Sequence, residues 1–215
     1  MSSEILKKLY YQSCCEELTA FKPGNHSIFS KIHGMSEKKF RYAAKISSEI
    51  ITNKNLSFGE SIFLSTKKCK TELNSNYNLG IILLCTPLIR ISLSGTKNFK
   101  RDLEKLLSNV SKKDGELFTK AIEFASPAGL KNYKGPGNIF DKKKISFSKM
   151  IKISSEWDRI SKCYNNNYKE IFDFGLPIFT YLLRCTSRKV AIEILYISFL
   201  SKSTDSHIQR KFGQY

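Results

Sequence analysis

Apolar residues recur along this chain mostly at the three- and four-residue spacing of a helix, with little strict alternation of the strand type. In the first twenty residues, one helical face carries Leu6, Leu9, Tyr10, Cys14 and Leu18. The same spacing returns at about 36–53, 57–69, 79–94, 99–107, 115–125, 147–164, 177–185 and 188–199. The pattern predicts an all-α protein, with residues 1–215 forming a single compact multi-helix domain and functional loops between the helices.

Several small polar residues stand where these helices should begin. Ser36, Ser57 or Gly59, Asn78 and Asp114 each precede an apolar run and can cap it. The last helix, 188–199, is apolar enough that we expect it in the core.

The most apolar stretch, 79–93, is too short for a membrane span and contains Arg90. We therefore expect a buried helix and no membrane partner. Pro87 should kink this helix unless the carbonyl that it leaves without a donor is satisfied otherwise.

The chain is strongly basic, with 36 Lys and Arg against 19 Asp and Glu and a formal net charge of +17. Such a balance favours polyanions, whether nucleic acid, a membrane surface or a phosphorylated small molecule. The lysines are scattered, however, and the sequence has no zinc-finger spacing and no long basic arm. A basic helical module that binds nucleic acid therefore stays only as an alternative, because it explains the charge and none of the polar motifs below.

The six cysteines form no C-x-x-C pair, so their spacing does not favour a zinc site. The first twenty residues carry charges throughout, which is not the pattern of a secretory signal. We interpret the cysteines as small core residues of a cytoplasmic protein in a reducing compartment.

The first candidate for chemistry follows the first helix. Glu16 and Glu17 end that helix, and Lys22-Pro23-Gly24-Asn25 comes next. Glycine lets the backbone approach a ligand closely, and lysine is a compact point charge for a phosphate. Taken alone, this stretch is equally a helix stop with an exposed lysine, and that simpler interpretation is favoured.

Two further loops carry unusual polar sequences. Asn76, Asn78 and Gly80 surround the start of the apolar helix, where backbone N–H groups favour anions, although a simple cap needs only one asparagine. The segment 125–138 contains Lys131 and Lys134 among glycines and is also typical of a surface connection.

The last two candidates lie in the C-terminal third. Asp158 and Lys162 have the spacing of a surface ion pair. The tail groups Asp205, His207, Arg210 and Lys211 within a few residues, which indicates a contribution to a site. The spacing of the three histidines does not favour a metal site formed by them.

Five motifs thus follow one another in order: Lys22-Pro23-Gly24-Asn25 after the two glutamates, Asn76-Tyr77-Asn78-Leu79-Gly80, Ala125-Ser126-Pro127, Asp158-Arg159-Ile160, and Asp205-Ser206-His207 with Arg210-Lys211. This order resembles the triphosphoribosyl-dephospho-CoA synthase family. The resemblance is strongest to the family's short branch, found in organisms with methanopterin-dependent C1 metabolism, and it runs from about Cys14 to Gly213.

The resemblance implies an all-helical, ATP-dependent transferase. Founding members of the family move the triphosphoribosyl unit of ATP to the ribose 2′-hydroxyl of 3′-dephospho-CoA and release adenine. Breaking the bond between ribose and adenine builds positive charge on the sugar, which a carboxylate stabilises. The triphosphate needs Mg²⁺ and side-chain cations.

By resemblance, roles follow for individual residues. Glu16 or Glu17 and Asp205 are expected as carboxylates for the sugar or for Mg²⁺, and His207 as a proton carrier. The expected contacts to the nucleotide and its phosphates are Lys22, Gly24, Asn25, Asn76, Asn78, Gly80, Arg210 and Lys211.

The chain also departs from the family pattern. Founding enzymes have histidine and lysine where this chain has Asn78 and Leu79, and the nearer branch has glycines at Ala128 and Lys131. The nucleotide half therefore looks retained and the acceptor half changed. One alternative is the same chemistry on another acceptor in pterin or C1 cofactor biosynthesis. The sequence leaves the acceptor and the oligomeric state open.

Overall fold

The computed structural model of the chain describes residues 1–30, 33–127, 135, 138–139 and 145–202. Within these residues every regular element is helical, so the all-α prediction is confirmed. A π-helical turn, Ile171–Gly175, directly precedes α9. The α-helices are α1 (Ser3–Thr19), α2 (Glu37–Ile51), α3 (Phe58–Leu73), α4 (Leu79–Leu93), α5 (Phe99–Ser108), α6 (Lys112–Ala125), α7 (Phe147–Ser154), α8 (Arg159–Asn165), α9 (Leu176–Cys185) and α10 (Arg188–Lys202).

Helix α3 lies at the centre of the molecule and packs against α2, α4 and most extensively α6. Ser57 caps it, as predicted, in a capping box with Glu60. The two backbones approach closely at Gly59, where a Cβ atom would lie 2.5 Å from the Cα of Asp114. Only glycine fits this contact, because the obstacle is backbone rather than a movable side chain.

Helix α4 is buried and continuous through Pro87. Proline cannot donate to the carbonyl four residues earlier, which belongs to Leu83. The hydroxyl of Tyr164 donates to that carbonyl over 2.6 Å, and Tyr168 donates to the neighbouring Leu84 carbonyl over 2.9 Å. Two tyrosines from the α8 region thus satisfy the acceptors around the proline.

Two predictions about helix boundaries were wrong. Ser111, not Asp114, caps α6, and Asp114 instead accepts hydrogen bonds from the Ser57 hydroxyl and the Gly59 N–H. The single helix expected over 147–164 is two helices, because Asp158 accepts from the Ser161 N–H and starts α8. Lys162 forms an ion pair with Glu170, with 4.0 Å between Nζ and Oε1.

Helices α9 and α10 are not core helices. Among their described residues only Ala191 is buried, whereas the apolar helix α4 has seven buried residues. Leu9, expected on the buried face of α1, is also 47% exposed. Apolar composition alone therefore did not determine which helix the fold covers.

All six cysteines are free thiols. Burial raises the pKa of Cys69, Cys85 and Cys163 to about 12, which keeps these thiols protonated and unreactive. Cys185, by contrast, is exposed, so the prediction that it is a core residue was wrong. No helix in the described part of the chain is both long and apolar enough to cross a membrane.

Candidate active site

Lys22 lies almost completely inside the protein, at 3% exposure, and is not the exposed lysine of a simple helix stop. Its ammonium group pairs with the carboxylate of Glu17 at the end of α1. The side chain of Glu17 is 41% exposed, so the pair has one buried and one open member. A buried ammonium needs such a partner, because desolvation of an unpaired charge is costly.

The loop after α1 is folded by its own glycine and asparagine. Gly24 has a φ of 78°, which favours glycine, and the Asn25 N–H donates to the Lys22 carbonyl over 3.0 Å. The Asn25 side-chain oxygen accepts from the His26 N–H over 2.8 Å. We call residues 20–30 the lysine loop. The sequence therefore encodes a tight turn that holds Lys22 in place.

A row of ring contacts joins the lysine loop to the asparagine motif of the second loop. His26 stacks on Phe40 of α2 with 4.8 Å between ring centroids, and Phe40 meets Tyr77 edge-on at 4.8 Å. Asn78 donates from its side chain to the Phe40 carbonyl over 3.3 Å. Two loops that are far apart in sequence are thus held against the same residue of α2.

The surroundings of His26 disfavour its charged form. Burial, and then the positive charge of Lys22, lower the pKa of His26 below its ordinary value of 6.5, while Glu17 and Glu37 act in the opposite direction. The imidazole is therefore neutral at physiological pH.

Asn78 does not cap α4 in the way we predicted. It occupies the N-cap position with a φ of 59°, but its side chain makes no capping bond and turns to Phe40 instead. Asn76 is half-buried in the same loop. Gly80 lies in the first turn of α4, where a Cβ would meet only Ile160 at 3.6 Å. The start of α4 thus faces the lysine loop across Phe40.

Glu16 points away from this cluster. Both of its carboxylate oxygens accept from Nε of Arg188 at 2.9 Å, and Arg188 belongs to α10. Of the two adjacent glutamates, Glu17 is the one that contacts Lys22. Glu16 instead ties α1 to α10.

Helix α10 also holds the lysine loop directly. Glu193 accepts from the Phe21 N–H over 2.8 Å, and the hydroxyl of Tyr196 donates to the Pro23 carbonyl over 2.9 Å. The loop is therefore fixed on one side by Phe40 and its neighbours and on the other by α10.

A groove of about 390 Å³ opens between α1 and α4 and reaches this cluster at Glu17. Apart from Glu17 and two serines, its lining is apolar or sulfur-containing and aromatic, and includes Leu6, Tyr10, Cys14, Ile81, Cys85 and Leu88. Among the residues that line the groove, Glu17 carries the only formal charge.

Four predicted site residues, Asp205, His207, Arg210 and Lys211, lie outside the described residues, as do Ala128 and Lys131 of the third motif. The described residues bring together Glu17, Lys22, Gly24, Asn25 and Asn78, with Asn76 and Gly80 beside them in the chain.

Magnesium has limited support from the described side chains. They contain no group of three or more Asp, Glu, His or Cys residues that could hold a metal ion. Mg²⁺ is usually held by one or two carboxylates together with substrate phosphates, so such a group is not required. The open carboxylate of Glu17 fits this need, whereas Glu16 is engaged by Arg188.

Sequence reasoning did not assign His26, Phe40 or Tyr77 to the site. Tyr77 stands between the two asparagines, is 2% exposed, and its hydroxyl has no hydrogen-bond partner among the described residues. The one sequence feature that could have indicated Tyr77 is the presence of an aromatic residue inside a polar loop motif.

Beyond this geometry, residues 3–215 match a family of transferases. The chain belongs to that family, the CitG family, described as ATP:dephospho-CoA triphosphoribosyl transferase. The resemblance seen in the motifs is thereby confirmed, as is the prediction of a transferase that uses ATP. Neither a curated protein nor a solved structure matches the chain significantly.

Proposed function

We propose that this chain binds ATP at the lysine loop and transfers its triphosphoribosyl unit to the ribose 2′-hydroxyl of 3′-dephospho-CoA. The bond between ribose C1′ and adenine breaks, a bond from C1′ to the acceptor oxygen forms, and adenine leaves with a proton. The observation that carries the proposal is the buried Lys22 paired with the open Glu17 beside Asn78.

The pair suggests how substrate binding prepares the reaction. A phosphate oxygen of ATP can replace the carboxylate of Glu17 as the partner of Lys22. Glu17 is then free to face the sugar, where its negative charge stabilises the positive charge that develops at C1′. In this proposal Lys22 positions the nucleotide and Glu17 acts on the reacting carbon.

The backbone of Gly24 and the amides of Asn25 and Asn78 supply the remaining contacts to the nucleotide. Asn76 and Gly80 lie in the same loop and at the start of α4, where unpaired N–H groups favour phosphate. The neutral His26 stacks on Phe40 and keeps the loop in its folded form.

The tail residues complete the proposal on sequence grounds alone. Asp205 provides a second carboxylate, Arg210 and Lys211 contact the triphosphate, and His207 carries a proton. Mg²⁺ would be held by the triphosphate with Asp205, which leaves Glu17 to the sugar, and it would neutralise phosphate charge during transfer.

The groove between α1 and α4 is the proposed place for the pantetheine arm of the acceptor. The arm is uncharged at neutral pH, and its methyl and methylene groups suit the apolar lining. The groove ends at Glu17, so an acceptor lying in it would present its ribose to the proposed reaction centre. We place this chemistry in the cytoplasm, which is consistent with six free thiols.

Release of adenine from ATP tests the proposal. With Mg²⁺ and 3′-dephospho-CoA, the wild-type chain should release adenine in step with loss of the acceptor, and Lys22→Met and Glu17→Gln should each reduce kcat by about 100-fold or more. Lys100→Met is the matched control, because Lys100 is exposed and its contacts, with Asp173 and the ring of Phe172, lie away from the lysine loop.

Circular dichroism must show the same helical content in all variants. Wild-type rates in Lys22→Met would remove this lysine from the site. Adenine release with other acceptors but not with 3′-dephospho-CoA would overturn the proposed acceptor and leave the nucleotide chemistry in place.

A further inference from the structure

Helices α9 and α10 leave a large apolar surface in solvent. Six large apolar side chains on them are between 39% and 66% exposed: Leu176, Tyr181, Leu183, Val190, Ile194 and Ile197. Exposed apolar side chains scattered singly need no explanation, but six of them on two helices that pack against each other indicate an interaction surface.

The exposed residues of α10 have the spacing of a helix–helix seam. Val190, Ile194 and Ile197 follow one another at intervals of four and three residues, which places them on one stripe. On α9, Leu176 and Leu183 are seven residues apart and also share a face. Alternating intervals of three and four are typical of helices that pack along a partner helix.

The size of the surface also suits a protein partner. If a large side chain offers roughly 150–250 Å² when fully exposed, the six residues expose on the order of 500 Å². That lies within the range of about 300–600 Å² for the largest apolar patch of a typical monomer, a patch that is often functional. Together with the half-buried Ile178, Phe179 and Leu182 of α9, it approaches the roughly 800 Å² that each partner buries in a standard interface.

The cations next to the stripe are turned toward their own chain. Arg188 pairs with Glu16, and Lys189 lies 4.4 Å from the ring centroid of Phe29. Lys202 lies 4.1 Å from the ring centroid of Phe174. The stripe of α10 therefore presents no charge, so a second α10 stripe can approach it without bringing like charges into contact. On α9, Arg184 is exposed beside Leu183 and is the cation nearest to the apolar residues of that helix.

We propose that a second copy of this chain packs its α9–α10 pair against this surface, forming a symmetric dimer of four helices. Twofold symmetry brings the same stripe to both sides, so apolar residues face apolar residues. The interface would use the same helix that holds the lysine loop, because Glu193 and Tyr196 of α10 both form hydrogen bonds with that loop. Dimer formation would thus stiffen the helix to which the loop is attached. The proposal does not depend on the reaction assigned to the loop.

Light scattering after size-exclusion chromatography of the full chain tests the dimer. At tens of micromolar, the wild type should have twice the 24.7 kDa mass of one chain. Ile194→Lys and Ile197→Lys should shift the mass to that of one chain. Leu64→Lys, on an equally exposed apolar residue of α3, is the matched control and should leave the dimer intact.

Three outcomes would overturn the proposal. A wild-type mass of one chain would show that the surface is covered otherwise, for example by the chain's own tail or by another macromolecule. A dimer that persists in both lysine variants would place the interface elsewhere. Dissociation by Leu64→Lys as well would show that added charge, not the stripe, controls assembly. If a lysine variant does not fold by circular dichroism, Ile197→Ser replaces it and should weaken the dimer on dilution.

Discussion

The hydroxyl of Tyr164 donates a 2.6 Å hydrogen bond to the carbonyl of Leu83, the acceptor that Pro87 leaves without its helical donor. Both groups are buried, so without this bond the Leu83 carbonyl would be shielded from water and would have no hydrogen-bond donor in place of the one that Pro87 lacks. The bond explains why α4 accepts a proline in its interior, and it joins α8 to α4.

Tyr164→Phe should therefore destabilise the fold by about 1–3 kcal/mol, because it leaves the Leu83 carbonyl unsatisfied. In a Pro87→Ala background the new Ala N–H can donate to that carbonyl, and the same substitution should cost less. Urea unfolding of the wild type, both single variants and the double variant measures this coupling. Equal costs in the two backgrounds would show that the hydroxyl does not act through the Leu83 carbonyl.

Gly59→Ala should weaken the contact between α3 and α6. The added Cβ would lie 2.5 Å from the Asp114 Cα and 2.6 Å from its carbonyl oxygen, so two backbones must separate. We expect a loss of about 2 kcal/mol or more in urea unfolding. Gly80→Ala is the control, because its Cβ meets only Ile160 at 3.6 Å, and there stability should stay the same or rise by up to about 1 kcal/mol. Equal effects of the two substitutions would contradict the close approach.

His26 should make the fold less stable in mild acid. Burial lowers the folded-state pKa of this imidazole, so the unfolded chain binds the proton more readily. The contribution of the neutral His26 to stability is fully present above about pH 6.5, the pKa of a free histidine. It is lost as the pH falls from there through the lower folded-state pKa. In His26→Gln, the free energy of unfolding should decline less steeply between about pH 7 and pH 5. Parallel pH profiles for both proteins would rule out this assignment.

Tyr196→Phe should loosen the lysine loop without changing its charges. It removes the 2.9 Å bond to the Pro23 carbonyl, a contact worth about 1 kcal/mol. We expect KM for ATP to rise by about fivefold with little change in kcat. The control is Tyr181→Phe, since Tyr181 is 66% exposed on α9. A selective fall in kcat instead would assign Tyr196 to the chemical step.

Leu88→Trp should partly fill the groove between α1 and α4. If the acceptor arm lies there, KM for 3′-dephospho-CoA should rise at least tenfold while KM for ATP stays within twofold. Equal increases in both would indicate a general disturbance of the fold. No change in either would move the acceptor to another surface.

The helical class and most helix positions could be predicted from the sequence, because the apolar periodicity of buried faces is a local property. The break between α7 and α8 was missed because the apolar pattern continues through Ile153, Trp157 and Ile160. A single capping residue, Asp158, outweighs it. Exposure of α9 and α10 depends on how the rest of the chain packs, which periodicity does not contain.

For the candidate site, the motifs predicted which loops matter but not how their side chains pair. Glu16 and Glu17 are adjacent and chemically alike, and the choice between them depends on Arg188, 172 residues further along the chain. Likewise, Asn78 looked like a cap, and its actual partner is the carbonyl of Phe40 in another helix. These contacts are tertiary, so local propensity could not reveal them.

The attachment of the lysine loop to α10 also sets the order in which the protein can become competent. During synthesis the loop leaves the ribosome well before the helix that carries Glu193 and Tyr196, and 172 residues separate Phe21 from Glu193. Such a long-range closure comes late, since its entropic cost is met only after the intervening helices have packed. A nascent chain can thus be mostly folded and still lack the finished nucleotide loop.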